Sequence, residues 1–170
     1  FRIPYKAKSD PEYTDVEMSF NLEEHVEAIG MTGWDWRGRQ SRWVAFDFDS
    51  IKNHTRGLTE LELDDLIAAA TKIPYLTVRR STSGKGLHFY VHFAEPISTA
   101  NHNEHAALAR SVLNLLSTQF NIDFTSKVDV CGGVMWVWHR KYEQAIIDGY
   151  YPFEILSLGQ PLATVPVNWK

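Results

Sequence analysis

Two short segments set the terms on which this chain can fold. From Leu87 to Phe93, Leu87, Phe89, Val91 and Phe93 fall on one side of an extended strand and His88, Tyr90 and His92 on the other. Arg42 to Asp49 alternates in the same way and is rich in aromatics, with Phe46 and Phe48 opposed to Asp47 and Asp49. Strands of this kind are buried on one face only. The apolar side needs a layer over it, and the polar side is left for water or for chemistry.

Helices able to form that layer are also legible. Thr59 to Thr71 carries a capping box, Thr59 with Glu62, and an apolar line of Leu63, Leu66, Ile67 and Ala70 before Pro74 ends it. Asn103 to Phe120 is a second helix, apolar at Leu108, Val112, Leu115 and Leu116. A shorter helix is expected over Asn21 to Ile29, capped by Asn21 with Glu24 and ended by Gly30. Residues 1 to 20 read as irregular, Gly33 to Gln40 as a polar turn and Tyr75 to Arg80 as a short strand. The Leu87 strand is expected to end near Pro96. Lys127 to Val130 and Val134 to Trp138 read as a hairpin around Gly132-Gly133. Pro152, Pro161 and Pro166 make the tail from Tyr142 read as extended segments or the start of a linker. The sum is an α+β domain, with helices packed on a mixed or antiparallel sheet.

Bulk properties narrow the function. The 170 residues suffice for one domain with a real core, and opening on Phe1 rather than Met suggests a piece of a longer protein. A single cysteine, Cys131, leaves no internal disulfide and no multi-cysteine zinc site, which fits a reducing cytoplasm. No apolar run approaches the roughly 18 to 20 residues that span a bilayer, so no membrane partner is expected. The formal charge of −4 argues against nucleic-acid binding by bulk charge. Basic residues nevertheless gather in sequence beside the candidate motifs, as Arg37, Arg39 and Arg42, as Arg79, Arg80 and Lys85, and as Arg140 and Lys141.

Three motifs carry chemistry. Asp47 and Asp49, two apart on a strand, point the same way and suit hard divalent cations, which take oxygen ligands. Ser83-Gly-Lys-Gly-Leu-His88 is a turn whose glycines would let backbone N–H groups approach an anion, with Lys85 adding a charge suited to phosphate. A strand follows it, so it is not the common phosphate loop, which opens a helix. Asp129, before Cys131-Gly132-Gly133, offers a third carboxylate, with Asp123 as its competitor. The strand after it, Met135 to Lys141, would bring Arg140 and Lys141 back to the site.

The motifs occur in the order acid-acid, glycine-rich turn with histidine, acid, at intervals of 39 and 41 residues. In this the chain resembles the archaeo-eukaryotic primase superfamily, particularly the primase-polymerase domains of phages and plasmids. Phe46-Asp47-Phe48-Asp49, Ser83 to His88 and Val128-Asp129-Val-Cys-Gly-Gly133 are similar to that family's three motifs, and Arg2 to Lys8 with Asp10-Pro11 to its lead-in. Trp138-His139-Arg140-Lys141 stands where many relatives carry a proline- and serine-rich turn.

The resemblance implies an RNA-recognition-like catalytic sheet preceded by a smaller α/β unit, in one catalytic domain over residues 1–170 excised from a longer replication protein. It implies a DNA primase or polymerase in which Asp47, Asp49 and Asp129 hold two Mg²⁺ or Mn²⁺ ions. Ser83, Lys85 and His88 would hold the nucleotide phosphates, helped by Arg140, Lys141 and either Arg80 or Arg79, since adjacent strand residues face opposite ways. The implied partners are a single-stranded DNA template, ribo- or deoxyribonucleoside triphosphates, and a fused or separate helicase, in a bacterial or phage-infected cytoplasm. Two other readings fit parts of the sequence. In a phosphatase of the haloacid-dehalogenase type, Asp47 would be a nucleophile and Asp49 an acid/base, but Ser50-Ile51 departs from that pattern. A replication initiator that binds DNA without polymerising would use His88 and His92, whose spacing is wider than usual for such proteins.

Overall fold

The computed structural model describes residues 2–5, 14–17, 28–48, 58–121, 129–131, 134–139 and 142–170. In chain order its elements are β1 (Arg2–Tyr5), β2 (Thr14–Glu17), β3 (Ala28–Met31), β4 (Trp34–Asp35), β5 (Gln40–Phe48), α1 (Glu60–Ala70), β6 (Thr77–Arg80), β7 (Leu87–Ser98), α2 (His102–Phe120), β8 (Asp129–Cys131), β9 (Met135–His139), α3 (Tyr142–Ile147) and β10 (Ile155–Ser157). The class is α+β, and every ladder between named strands is antiparallel.

The main sheet runs β10-β6-β7-β5, and β4 and β8 share the far edge of β5, β4 at its start and β8 at its end. The alternation in the sequence decides which face is covered. Val44, Phe46 and Phe48 of β5 and Leu87, Phe89, Val91 and Phe93 of β7 pack with Leu63, Leu66 and Ala70 of α1 and Leu108, Val112 and Leu116 of α2. Burying each of the larger side chains contributes about 1.5–3 kcal/mol, so this seam sets the pleat of both strands. The helices begin where their caps dictate. The Thr59 hydroxyl accepts the Glu62 N–H (3.2 Å) while the Glu62 carboxylate accepts the Thr59 N–H (2.9 Å), and Asn101 caps α2 by accepting from the Glu104 N–H.

Several local expectations give way to pairing across the chain. Ala28 and Ile29 are not helical. With Gly30 and Met31 they form a strand against β9, and the rest of the expected helix over Asn21 to Ile29 lies outside the described residues. β8 and β9 do not form a hairpin with each other, because β8 joins the edge of β5 and β9 pairs with β3. Residues expected to be irregular pair as β1 with β2, Arg2 opposite Glu17 and Tyr5 opposite Thr14. β7 runs on past Pro96 to Ser98. Its pairing with β5 is interrupted between Ser41 and Trp43, so the missing proline N–H falls where the ladder is broken. The tail is no linker. β10 lies against β6, Leu162 exchanges backbone hydrogen bonds with His92 and Ala94 (2.8 and 2.9 Å), and Leu162, Val165 and Trp169 pack on the core. Proline-rich sequence hides such docking, since the hydrogen bonds come from the edges of other strands.

A buried polar cluster joins α2 to β5. The Ser41 hydroxyl bonds Thr99 Oγ1 at 2.9 Å and His105 Nδ1 at 2.7 Å, and all three residues are almost fully buried. Burial, with His102 as a second cause, pushes the His105 imidazole from 6.5 down to about 4. The unfolded chain therefore binds a proton that the folded chain refuses. The stability contributed by neutral His105 is complete above 6.5 and is lost as the pH falls toward about 4. Thermal unfolding followed across that window is expected to show a falling transition temperature. A His105→Gln variant, less stable at neutral pH through its lost packing, is expected to show a shallower decline.

Candidate active site

Antiparallel pairing draws one line of residues across the sheet. Asp129 takes the register position opposite Asp47, Asp47 stands opposite His88, and His88 opposite Arg79. Directly opposed residues share a face. For Asp47, His88 and Arg79 this is the face turned away from α1 and α2, because Phe46, Phe48, Leu87 and Phe89 occupy the other. Motifs some forty residues apart in the chain thus meet within one row.

His88 is 1 % exposed, and its Nε2 lies 3.5 Å from Asp47 Oδ1. Burial, with the Arg79 guanidinium as second cause, pushes the imidazole from 6.5 down to about 3. The ring is therefore neutral, and its approach to Asp47 is that of a dipole to a carboxylate rather than an ion pair. On the other side of the ring, Arg79 Nη2 lies 3.1 Å from His88 Nδ1, 2.8 Å from the Tyr90 hydroxyl and 2.6 Å from the Trp136 carbonyl. The guanidinium carbon lies 5.3 Å from the Tyr90 ring centroid and 4.8 Å from that of Phe153.

The turn between β6 and β7 is closed on Ser81. Its N–H donates to the Gly86 carbonyl (2.8 Å), its hydroxyl accepts the Gly86 N–H (3.0 Å), and its carbonyl accepts the Gly84 N–H (3.0 Å). Ser83 Oγ accepts the Lys85 N–H at 3.2 Å. This corrects one expectation. The glycine N–H groups hold the turn together and do not cradle an anion, so the turn meets the cavity through side chains. A cavity of about 590 Å³ opens there, walled by Asp47, His88, Ser81, Thr82, Ser83 and Lys85 on one side and by Trp136, His139 and α3 with Tyr150 on the other. Its volume is that of a site for a nucleotide-sized ligand. Lys85 lies on the wall with its ammonium 4.5 Å from the Tyr150 ring centroid.

Asp47, Ser83, Lys85 and His88 are thus brought together, and Asp129 is beside them by register. Of the two arginines, Arg79 faces the row, whereas Arg80 is tied to Glu154 at 2.9 Å. Asp49, Asp123, Arg140 and Lys141 lie outside the described residues. Arg42 sits five residues before Asp47 on β5, about 16 Å away along an extended strand, so that basic cluster borders the motif in sequence only. Trp136, Gln144, Asp148 and Tyr150 also line the wall, and no sequence motif marks them for it. The last three lie in a tail with little periodicity, in which Asp148-Gly149 is a turn-type dipeptide.

Hard divalent ions need carboxylate oxygens. Asp47 on the cavity wall supplies one, and Asp129 holds the register position facing it on β8. Among the described residues no three His, Cys, Asp or Glu side chains converge as a metal site. Comparison of the chain with family models, with curated proteins and with solved structures returned no match. Among the described residues no helix is long and apolar enough to cross a membrane.

Gly84 adopts φ +76°, and a Cβ built on it would lie 2.8 Å from Tyr150 Cβ and 3.1 Å from the Tyr151 nitrogen. Gly149 has φ +85° with nothing near its missing Cβ. Gly84→Ala is therefore expected to cost about 1–3 kcal/mol of strain plus the collision. Gly149→Ala is expected to cost the strain alone. Denaturant unfolding of the two variants measures the difference.

Proposed function

We propose that the protein is a template-dependent nucleotidyl transferase, a primase-polymerase that starts or extends strands on single-stranded DNA from nucleoside triphosphates. The observation that carries this reading is the cross-strand row of Asp47, His88 and the Asp129 register position, set beside a serine- and lysine-bearing turn on a nucleotide-sized cavity. It is supported by the order of the three motifs in the sequence and by their likeness to those of the archaeo-eukaryotic primases. An antiparallel sheet with helices on one face and the acid-bearing face toward a cavity accords with the RNA-recognition-like core that likeness implies.

Asp47, Asp49 and Asp129 would hold two Mg²⁺ or Mn²⁺ ions. Such ions, when bound, activate an attacking 3′-hydroxyl and neutralise the departing pyrophosphate. The chain's own part is to position and to neutralise. Lys85 brings a full positive charge to the phosphates and Ser83 a hydroxyl donor. His88, buried and neutral, brings a dipole that costs no desolvation of charge when an anion arrives. Trp136 and Tyr150 form part of the cavity wall facing the turn.

A gel assay with labelled nucleotides on single-stranded DNA, with Mg²⁺ or Mn²⁺, primed and unprimed, tests this. Metal-dependent products are expected, and Asp47→Ala and Asp49→Ala are each expected to abolish them while DNA binding survives. Full synthesis by either variant would remove the metal-ligand assignment. His88→Ala is expected to raise the nucleotide KM by about tenfold, the equivalent of one hydrogen bond to a charged group.

A further inference from the structure

We propose that Arg79 is a positioning residue. Its guanidinium fixes His88 as the Nε2–H tautomer, so that the ring presents a hydrogen-bond donor toward Asp47 and the cavity.

The argument begins with what a guanidinium can do. It has five N–H donors and no lone pair to accept with. Arg79 Nη2 is 3.1 Å from His88 Nδ1, so Nδ1 must be the accepting nitrogen. In the other tautomer an Nδ1–H would aim its proton at a donor. Nη2 carries two protons and has three acceptors within reach, the Trp136 carbonyl at 2.6 Å, the Tyr90 hydroxyl at 2.8 Å and His88. Sharing one proton between two of them weakens that bond but leaves the tautomer unchanged, since no partner on Arg79 can accept. The proton of a neutral imidazole then resides on Nε2, the nitrogen 3.5 Å from Asp47 Oδ1.

The guanidinium is itself held in place. β6 sets its backbone opposite His88, the Tyr90 and Phe153 rings pack against it, and the Trp136 carbonyl of β9 fixes its end. The ligand suited to such a donor is an oxyanion. A phosphate oxygen accepts from Nε2–H and would be repelled by a lone pair there. That this oxyanion is a nucleotide phosphate rests on the function proposed above, whereas the tautomer does not.

The test is the long-range ¹H–¹⁵N spectrum of His88 in the ¹⁵N-labelled chain at neutral pH. The Nε2–H pattern is expected in the wild type and in Arg79→Lys, which keeps a donor. Arg79→Met fills the space beside the rings without a donor and is expected to give a mixture of tautomers, because Asp47 still favours Nε2–H. An Nδ1–H or imidazolium pattern in the wild type overturns the proposal, as does an unchanged pattern in Arg79→Met. Should Arg79→Met not fold, the wild-type spectrum still decides. In the synthesis assay, Arg79→Met is expected to raise the nucleotide KM about tenfold with kcat little changed, and Arg79→Lys to recover part of the loss. Absence of synthesis in the wild type counts against the polymerase and leaves the tautomer to the spectrum.

Discussion

The register of β5 against β7 is the constraint from which the rest follows. Phe46 and Phe48 are driven under α1 and α2, and because strand side chains alternate, Asp47 has only the other face to occupy. The same logic buries Leu87 and Phe89 and turns out His88. A slip of one residue would put a carboxylate of β5 or a histidine of β7 in the core, and a phenylalanine in the cavity. Hydrophobic burial therefore aligns the polar groups, although it never touches them. The row of Asp129, Asp47, His88 and Arg79 is the chemical image of a packing arrangement on the reverse of the sheet.

Around that row the electrostatics are set by dryness as much as by charge. A buried histidine beside an arginine stays neutral, and a guanidinium packed against two rings and aimed at three acceptors keeps its direction. Such groups do not need to reorganise when a charged ligand arrives, which is the general advantage of a preorganised site. One of the rings packed against Arg79 belongs to Phe153, and Phe153 lies in the tail. The last quarter of the chain is thus part of the site's wall and of its wiring, through Tyr150 against the turn and Glu154 on Arg80.

What the sequence could disclose follows from which forces act locally. Period-two alternation identified both central strands and their faces, and the Thr59–Glu62 box placed the start of α1, because each signal lies within a few residues. Pairing between distant strands leaves no such mark. Ala28 and Ile29 look helical until β9 is beside them, and β8 and β9 look like a hairpin until each finds another partner. For the site, the residue types of the motifs singled out Asp47, Ser83, Lys85 and His88. Arg79 and Arg80 were indistinguishable until the register was known. The tail's share was hidden because α3 has only six residues, too few for its spacing to rise above chance.

The manner in which the sheet ends bears on how the molecule behaves among its own copies. β10, at one margin, has three residues, and β4 and β8, at the other, have two and three. A long strand left open would offer a row of unpaired amides to any neighbouring chain. In this sheet the long strands β5 and β7 are interior, and among the described residues its margins are short strands. Crowded copies of the domain would find little to zip onto. An antiparallel sheet finished in this way limits edge-to-edge pairing by the geometry of its margins, independently of the modest net charge.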